Sequence, residues 1–298
     1  MRIGILASAG SWHYLQLEAA FERLGIKVER YYITELMAKV GMSSSSFVSG
    51  SFAGDERLED LDALIVRSIP AGSLEQIVFR MNALHCLEQA GTFVMNQPLA
   101  IEKTVDKFYT SSLLASQGLP TPPTIVTENR DAAMEAFQEL GGDVVVKPLF
   151  GSLGRGMVRV DNPDVAYRVF QALEMNHYVF YLQKFIHHEN KDIRVFVLGD
   201  RVLEAMERRG SAWKTNIAQG AVAYPVELDD YQEKLALKAA RAIGCLYAGV
   251  DIVRSRDGEM FVLEVNGIPG WEGLQKVSSV NIADEIASFV VKGRESCC

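Results

Sequence analysis

Short apolar runs alternate with amphipathic stretches along the first hundred residues. Residues 2–7, 28–32, 61–67 and 92–96 are apolar enough to be buried strands. Between them, 12–24 carries apolar residues at helical spacing (Leu15, Ala19 and the 21–24 cluster) and stops at Gly25. The stretch 73–90 reads the same way and is closed by Gly91. Strands and helices in alternation predict a small parallel α/β domain over residues 1–97. The segment 41–54, with four serines in succession, has no period and is expected to be an exposed loop or hairpin. Open α/β sheets take ligands at the carboxyl ends of their strands, so 8–12 and 67–72 are candidate substrate loops, or equally ordinary turns.

Beyond Pro98 the pattern changes. Helices are expected at 106–117, ended by Gly118, and at 131–140, capped by Asp131 and stopped by Gly141-Gly142. Pro120, Pro122 and Pro123 form a stiff link to a strand at 124–126. A buried strand at 143–147, a second at 157–160, a helix at 163–173 and an apolar run at 178–185 complete a second domain, residues 98–184. The remainder, 185–298, has antiparallel strands at 193–198 and 201–208 joined by Gly199-Asp200. A polar stretch, 209–220, leads to a strand at 221–226, and helices follow at 231–243 and 281–291. Strands flanked by helices make this part α+β.

Within the third domain, 248–271 reads as a hairpin. Apolar runs at 249–253 and 260–265 flank Asp257-Gly258, a strong two-residue turn signal. That turn places Asp251 opposite Glu264, with Asn266 on the face of Glu264. Facing carboxylates repel each other and call for compensation. A divalent cation with oxygen ligands would supply it; a solvated edge hairpin would need none.

Composition narrows the function classes. The chain of 298 residues is 48% hydrophobic and 23% charged, as expected of a soluble protein with two or three domains. Its net charge of −8 leaves no broad basic footprint for nucleic acid. Cys86, Cys245, Cys297 and Cys298 contain no CxxC pair and no disulfide framework. The opening apolar run is too short for a signal peptide or a membrane span, so the cytoplasm is the expected compartment.

Several residues could carry chemistry. Lys147 ends a strand and precedes Gly151, Ser152, Gly154 and Gly156. Glycine lets backbone N–H groups approach a phosphate while the lysine adds charge, although a mobile loop fits the same residues. It is not a P-loop, because a strand follows and GxxxxGK[ST] is absent. Lys107 begins a helix and alone would be a surface lysine. Gln183, Lys184, Phe185 and Ile186 leave one domain for the next, where a strand can offer backbone groups to a purine edge or act as a simple hinge. Asp192 and Arg194 share a strand face, and Arg208, Arg209, Lys214 and Asn216 cluster around one loop. Such cations suit a phosphate or carboxylate, or a charged surface loop.

In this order, VVVKPLFGSLGRGMV, YLQKFI, DIR, MERR, WKTN and GVD…LEVNGIPG resemble the ATP-grasp superfamily, and within it the RimK-like α-L-glutamate ligases. The resemblance spans nearly the whole chain. RSIPAGSLEQIVFRMNAL, TVDKFYTSSLL and EVNGIPGWEGLQ look most like the branch linked to tetrahydromethanopterin biosynthesis, which adds glutamate to that pterin. The resemblance implies an ATP-grasp fold behind a small parallel α/β domain on the substrate side. Lys107 and Lys147 match the two nucleotide-phosphate lysines, and 151–156 the lid over the phosphates. Gln183, Lys184, Phe185 and Ile186 match the adenine hinge, with Lys184 in place of the usual glutamate. Asp192 matches the ribose-side acid, Arg208 the arginine at the transferred phosphate, and Lys214, Thr215 and Asn216 a triplet near ATP. Asp251, Glu264 and Asn266 match the ligands of magnesium or manganese, with two ions expected. An ADP-forming acid–amino-acid ligase follows, with Lys147 and Arg208 as its catalytic residues, L-glutamate as one substrate and a small-molecule acceptor, a pterin before others. A peptide or ribosomal-protein C-terminus is the rival acceptor, and a non-catalytic nucleotide-binding regulator the rival class. By analogy with the superfamily, a homo-oligomer (dimer or tetramer) is expected.

Overall fold

The computed structural model describes residues 1–40, 46–49, 57–151 and 154–295, with the backbone alone for 46–49 and 294–295. The chain opens with β1 (Ile3–Leu6), α1 (Trp12–Arg23), β2 (Val28–Tyr31), β3 (Leu36–Lys39), β4 (Ser46–Ser49), β5 (Ala63–Val66), α2 (Leu74–Gln89) and β6 (Phe93–Met95). The sheet order is β2-β1-β5-β6 and every pairing in it is parallel, as the alternating pattern predicts. The stretch 41–54 lies outside the described residues except for β4, which pairs antiparallel with β3. Both helices of the sheet are capped from sequence. Ser11 Oγ accepts from Tyr14 N (3.3 Å), and Ser73 forms a reciprocal box with Gln76 (3.3 and 3.0 Å).

Next come α3 (Pro98–Val105), α4 (Lys107–Ser116), β7 (Thr124–Thr127), α5 (Arg130–Glu139), β8 (Val144–Lys147), β9 (Val158–Val160), α6 (Pro163–Met175) and β10 (Phe180–Lys184). The strands form an antiparallel sheet in the order β7-β10-β8-β9, with Phe137, Phe170 and Phe180 in the core between it and α5/α6. Two sequence expectations need correction. Helix α3 was not anticipated, although Pro98 at its first turn is a start signal. The cap of α5 is Asn129, whose Oδ1 accepts from Ala132 N (2.8 Å), and Asp131 lies inside the first turn.

The rest contains β11 (Lys191–Leu198), β12 (Arg201–Arg209), β13 (Val222–Pro225), α7 (Asp230–Ile243), β14 (Tyr247–Arg254), β15 (Met260–Asn266), α8 (Glu272–Gln275) and α9 (Ile282–Glu295). Its sheet runs β13-β12-β11-β14-β15 and is antiparallel throughout. Helices α3 and α4 pack against α7 and β15, which brings the start of α4 beneath the hairpin. Helix α9 returns to the first sheet. Ile282, Ile286 and Val290 share a core with Ile3, Ile5, Leu17 and Phe21. No helix among the described residues is long and apolar enough to cross a membrane.

The hairpin register holds where it matters, through two offsets that cancel. The turn is one residue wider than expected, so Arg254 pairs with Met260. Leu263 is then bulged out of the ladder, which restores Asp251 opposite Glu264. A bulge breaks the alternation of faces, and here both Leu263 and Glu264 line the same cleft.

Asn96, fully buried at the end of β6, joins the first sheet to the third. Its Nδ2 donates to Tyr247 O (2.8 Å) and Gly267 O (2.5 Å), and its Oδ1 accepts from Leu246 N (2.7 Å) and Tyr247 N (3.1 Å). Asn96→Ala should lower unfolding stability by about 3 kcal/mol, because it strands several buried backbone groups at once. Urea titration checks this; a loss under about 1 kcal/mol would mean the backbone finds other partners.

Candidate active site

A cleft of about 610 Å³, open to solvent, lies between the second and third sheets. It gathers Lys147, Gln183, Lys184, Phe185, Ile186, Asp192, Arg208, Lys214, Thr215, Asn216, Asp251 and Glu264. A smaller recess beside it holds Lys107 and shares Lys147, Met157, Leu263 and Glu264. Gly151, Gly154, Gly156 and Asn266 do not line either one, and Ser152 lies outside the described residues.

The wall at 183–186 is built from the end of β10. Gln183 is buried, and its amide is fully engaged. Oε1 accepts from Lys147 Nζ (2.6 Å) while Nε2 donates to Thr124 Oγ1 (3.1 Å) and the Tyr181 hydroxyl (3.2 Å). Lys184 N and Phe185 N are paired with Pro123 O and Asp143 O. Ile186 lines the cleft, and its N–H has no hydrogen-bond partner among the described residues, so the wall keeps one backbone donor unused. Arg159, held by Asp143 through two hydrogen bonds (2.8 and 2.7 Å), stacks on Phe185 at 3.8 Å and fixes its ring. Val145, Met157 and Leu263 add apolar surface, so the slot suits a flat heterocycle with a polar edge.

The lysines converge from two elements. Lys147 at the end of β8 is buried at its ammonium, and burial lowers its pKa from 10.5 to about 8, opposed by Glu264 and Asp251 and reinforced by Lys107. Lys107 at the start of α4 is lowered for the same reason, with Glu264 and Asp106 opposing. Its Nζ donates to Gly151 O (2.8 Å), which ties the glycine-rich segment to α4. Gly154, in the left-handed region (φ 70°), lies so close to Asn216 Oδ1 that a Cβ there would overlap it.

Across the floor, cross-strand register places Arg208 of β12 beside Asp192 of β11, and Arg194 of β11 beside Asp251 of β14. Arg208 donates from Nε (2.7 Å) and Nη2 to the two oxygens of Asp192 and reaches Asp251 at 3.0 Å. Arg194 grips Asp251 through Nε and through Nη2 (2.7 Å). Thr215 Oγ1 donates to Asp192 (2.6 Å), tying the polar loop after β12 to this network. Burial pushes the Asp251 carboxyl up, but Arg194 and Arg208 more than offset it and hold its pKa low. Burial also pushes Asp192 up; Arg208 and Thr215 offset this only in part, and Asp251 adds to it. Burial works against the charge on Arg208, yet the two carboxylates outweigh it and keep it protonated. The positive charge expected opposite Asp251 is therefore supplied in this structure by two arginines.

The donor set suits a hard cation in part. The Glu264 carboxylate makes no direct hydrogen bond or ion pair among the described residues, and Asn266 donates from Nδ2 to Gly249 O (3.2 Å), leaving Oδ1 as an acceptor. These oxygens fit magnesium or manganese. Both oxygens of Asp251 are committed to arginine, and no group of three or more His, Cys, Asp or Glu is gathered among the described residues. A cation held here would need phosphate oxygens to complete its shell, as magnesium sites commonly do.

Sequence reasoning noted Arg194 only as a neighbour of Asp192, and it missed Val145, Met157, His188, Trp213 and Leu263 as lining residues. Trp213 carried a signal, being an aromatic inside a polar stretch; its ring meets Phe185 edge-on at 6.1 Å.

A family model described as the RimK-like ATP-grasp domain matches residues 104–290, more than half of the chain. The chain belongs to the RimK-like ATP-grasp family. It is thus an ATP-binding, ADP-forming ligase of C–N bonds, in a family whose members use ATP with magnesium or manganese. This RimK-like chain is 39% identical over 245 residues to a tetrahydromethanopterin:alpha-L-glutamate ligase of Methanocaldococcus jannaschii, covering 79% of this chain and 81% of the relative. To the protein of the same name from Methanococcus maripaludis it is 34% identical, covering 96% of each. An alpha-aminoadipate–LysW ligase of Saccharolobus solfataricus is 36% identical, over 66% of this chain and 74% of the relative. Among solved structures, the ATP-grasp ligase PsnB complexed with minimal precursor, Mg and ADP superposes with a TM-score of 0.74 at 20% identity, over 98% of each chain. That likeness shows the ATP-grasp fold.

Because Lys147 releases its proton near pH 8 when folded and near 10.5 when unfolded, its burial opposes folding below about 8. Between those values the unfolded chain binds more protons, so stability rises with pH. A phosphate contact at Lys147 would give nucleotide affinity the opposite slope, since a neutral amine no longer attracts phosphate. Calorimetry should show ADP binding weakening from about pH 7 to about 9.5, with proton uptake in between, and Lys147→Arg should flatten the profile. An unchanged slope in Lys147→Arg would remove Lys147 from the phosphate contacts.

Proposed function

We propose that the chain is an ATP-dependent ligase that joins L-glutamate to an acceptor carboxylate, and that the acceptor is a tetrahydromethanopterin-type pterin. The observation that carries the ligase chemistry is a cleft that holds Lys147, Ile186 and the Glu264 carboxylate, adjoined by a recess that shares Lys147 and Glu264 and adds Lys107. The two methanogen relatives, matched over 79% and 96% of the chain, support the pterin.

ATP lies with its adenine against Val145, Phe185, Ile186 and Leu263 and its phosphates toward Lys107 and Lys147. Glu264 and Asn266, beside the arginine-held Asp251, would hold magnesium or manganese, and the cation would supply positive charge to phosphate oxygens. An acceptor carboxylate oxygen attacks the γ-phosphorus, the bond to the bridging oxygen breaks, and ADP leaves an acyl phosphate. The amine of glutamate then attacks the acyl carbon. The C–O bond to phosphate breaks, inorganic phosphate departs, and the nitrogen loses a proton to give the amide. Lys107, Lys147 and Arg208 stabilise charge spread over the transferring oxygens, so the protein acts mainly by placement and electrostatics. Gly151, tied to Lys107, and Gly154, resting on Asn216, help keep water from the acyl phosphate. No serine, cysteine or histidine nucleophile is needed.

A second acceptor class is the carboxylate of a peptide: one solved neighbour, the ATP-grasp ligase PsnB, is complexed with a precursor peptide. Mass spectrometry of the purified protein with ATP, L-glutamate and each acceptor separates them. A glutamyl residue gained by the pterin is expected; a gain only on a peptide would transfer the reading to that class. Glu264→Ala should lower ADP release on the order of 100-fold, and near wild-type turnover would remove Glu264 from the site.

A further inference from the structure

The first sheet holds a second crevice that the nucleotide cleft does not use. Strands β1 and β5 are neighbours at its centre, and their connections leave in opposite directions, β1 through α1 to β2 and β5 through α2 to β6. Helix α1 packs with Ile3, Ile5 and Ile65 on one face, and α2 with Leu64 and Val66 on the other. The carboxyl ends of β1 and β5 therefore form a topological switch point, where open α/β sheets take ligands. The Ser8 and Ser68 hydroxyls meet across it at 2.9 Å.

Arg67 follows β5 at this point. Nη1 donates to the Tyr247 hydroxyl (2.9 Å), Nη2 donates to Pro269 O (2.8 Å), and the guanidinium stacks on Trp271 at 4.5 Å. Its Nε is buried without a partner. Every one of these contacts is uncharged, and among the described residues no carboxylate pairs with Arg67. Arg194 and Arg208, by contrast, each hold an aspartate. The adjacent His13 accepts from Trp271 N through Nε2 (3.2 Å), and burial with Arg67 holds its pKa down at about 3, so it adds no charge. A half-buried cation left without an anion, in a chain of net charge −8, is costly unless a ligand supplies the counter-charge. The crevice adjoins the nucleotide site: Pro269 and Arg194 both pack on Gly249, where a Cβ would crowd either one.

We propose that Arg67, with the Ser8 and Ser68 hydroxyls, forms a carboxylate-binding subsite that holds a carboxylate of a reacting substrate, either that of L-glutamate or that of the acceptor. This rests on the ligase reading above. Arg67 here is a binding residue, held rigid by Tyr247 and Trp271.

Two measurements test it. In steady-state kinetics, Arg67→Gln should raise the half-saturating concentration of one carboxylate substrate roughly tenfold, with Arg67→Lys intermediate and that for ATP within about twofold. A shift on glutamate assigns the subsite to the amino acid, and a shift on tetrahydromethanopterin assigns it to the acceptor. Ser68→Ala, which leaves the contacts of Arg67 to the protein in place, should shift the same substrate less. Wild-type protein is also titrated with glutarate and with glutaramide, its neutral analogue, while tryptophan emission is followed. Glutarate should saturate a signal from Trp271 that glutaramide does not give. Equal responses to both, or unchanged half-saturation in Arg67→Gln and Ser68→Ala, would overturn the subsite. Absence of ADP formation by wild type with every acceptor would instead overturn the ligase reading, and the glutarate titration would still report on Arg67.

Discussion

The third sheet is organised around a row of charges that neutralise one another across strands. Arg208 faces Asp192 and Arg194 faces Asp251 by ladder register, and Glu264 lies across from Asp251 as the one acid of the row without an arginine. Arg208, Asp192 and Asp251 are almost wholly buried, so none is tolerable alone. Register must then be right to the residue on every strand, because a slip of one sends each charge to the opposite face. The same row fixes what can approach from the cleft. Two arginines and two aspartates balance, and Glu264 remains at the end with its charge directed toward Lys107 and Lys147.

Both lysines of the site have protein partners. Lys147 is held by Gln183 and Lys107 by the carbonyl of Gly151, so protein acceptors occupy the ammonium groups that the proposed phosphates would take. On the proposed reading, incoming nucleotide would exchange these contacts rather than meet bare charges. Since the partner of Lys107 is the carbonyl of Gly151, a phosphate that took this ammonium would also release Gly151 from α4.

How much of this was legible depended on whether the information was local. The parallel first sheet, the strand ending at Lys147 and the hairpin could be read from apolar runs and turn residues. The Asp251–Glu264 pairing was legible too, although a wider turn and the Leu263 bulge had to cancel for it to hold. Arg194 as the partner of Asp251 was not, because it requires knowing that β11 lies between β12 and β14. Lateral strand order is a tertiary property without a period of its own. Helix α3 escaped for a different reason: eight residues beginning at Pro98 look like a linker until α7 and β15 are seen to pack on them. The α5 cap fell to Asn129 because two candidate capping residues lie two positions apart, and the choice rests on backbone geometry.

The return of α9 to the first sheet bears on how the protein is made. One face of that sheet is completed by Ile282, Ile286 and Val290, some 280 positions after Ile3. On the ribosome, the face beside α1 stays without its cover until nearly the whole chain has been synthesised, while the β7–β10 sheet with α5 and α6 has its core residues between 125 and 182. Folding order should therefore run against chain order: the middle of the molecule can consolidate during synthesis, and the amino-terminal sheet matures last. Its uncovered apolar face is what a nascent-chain chaperone would meet.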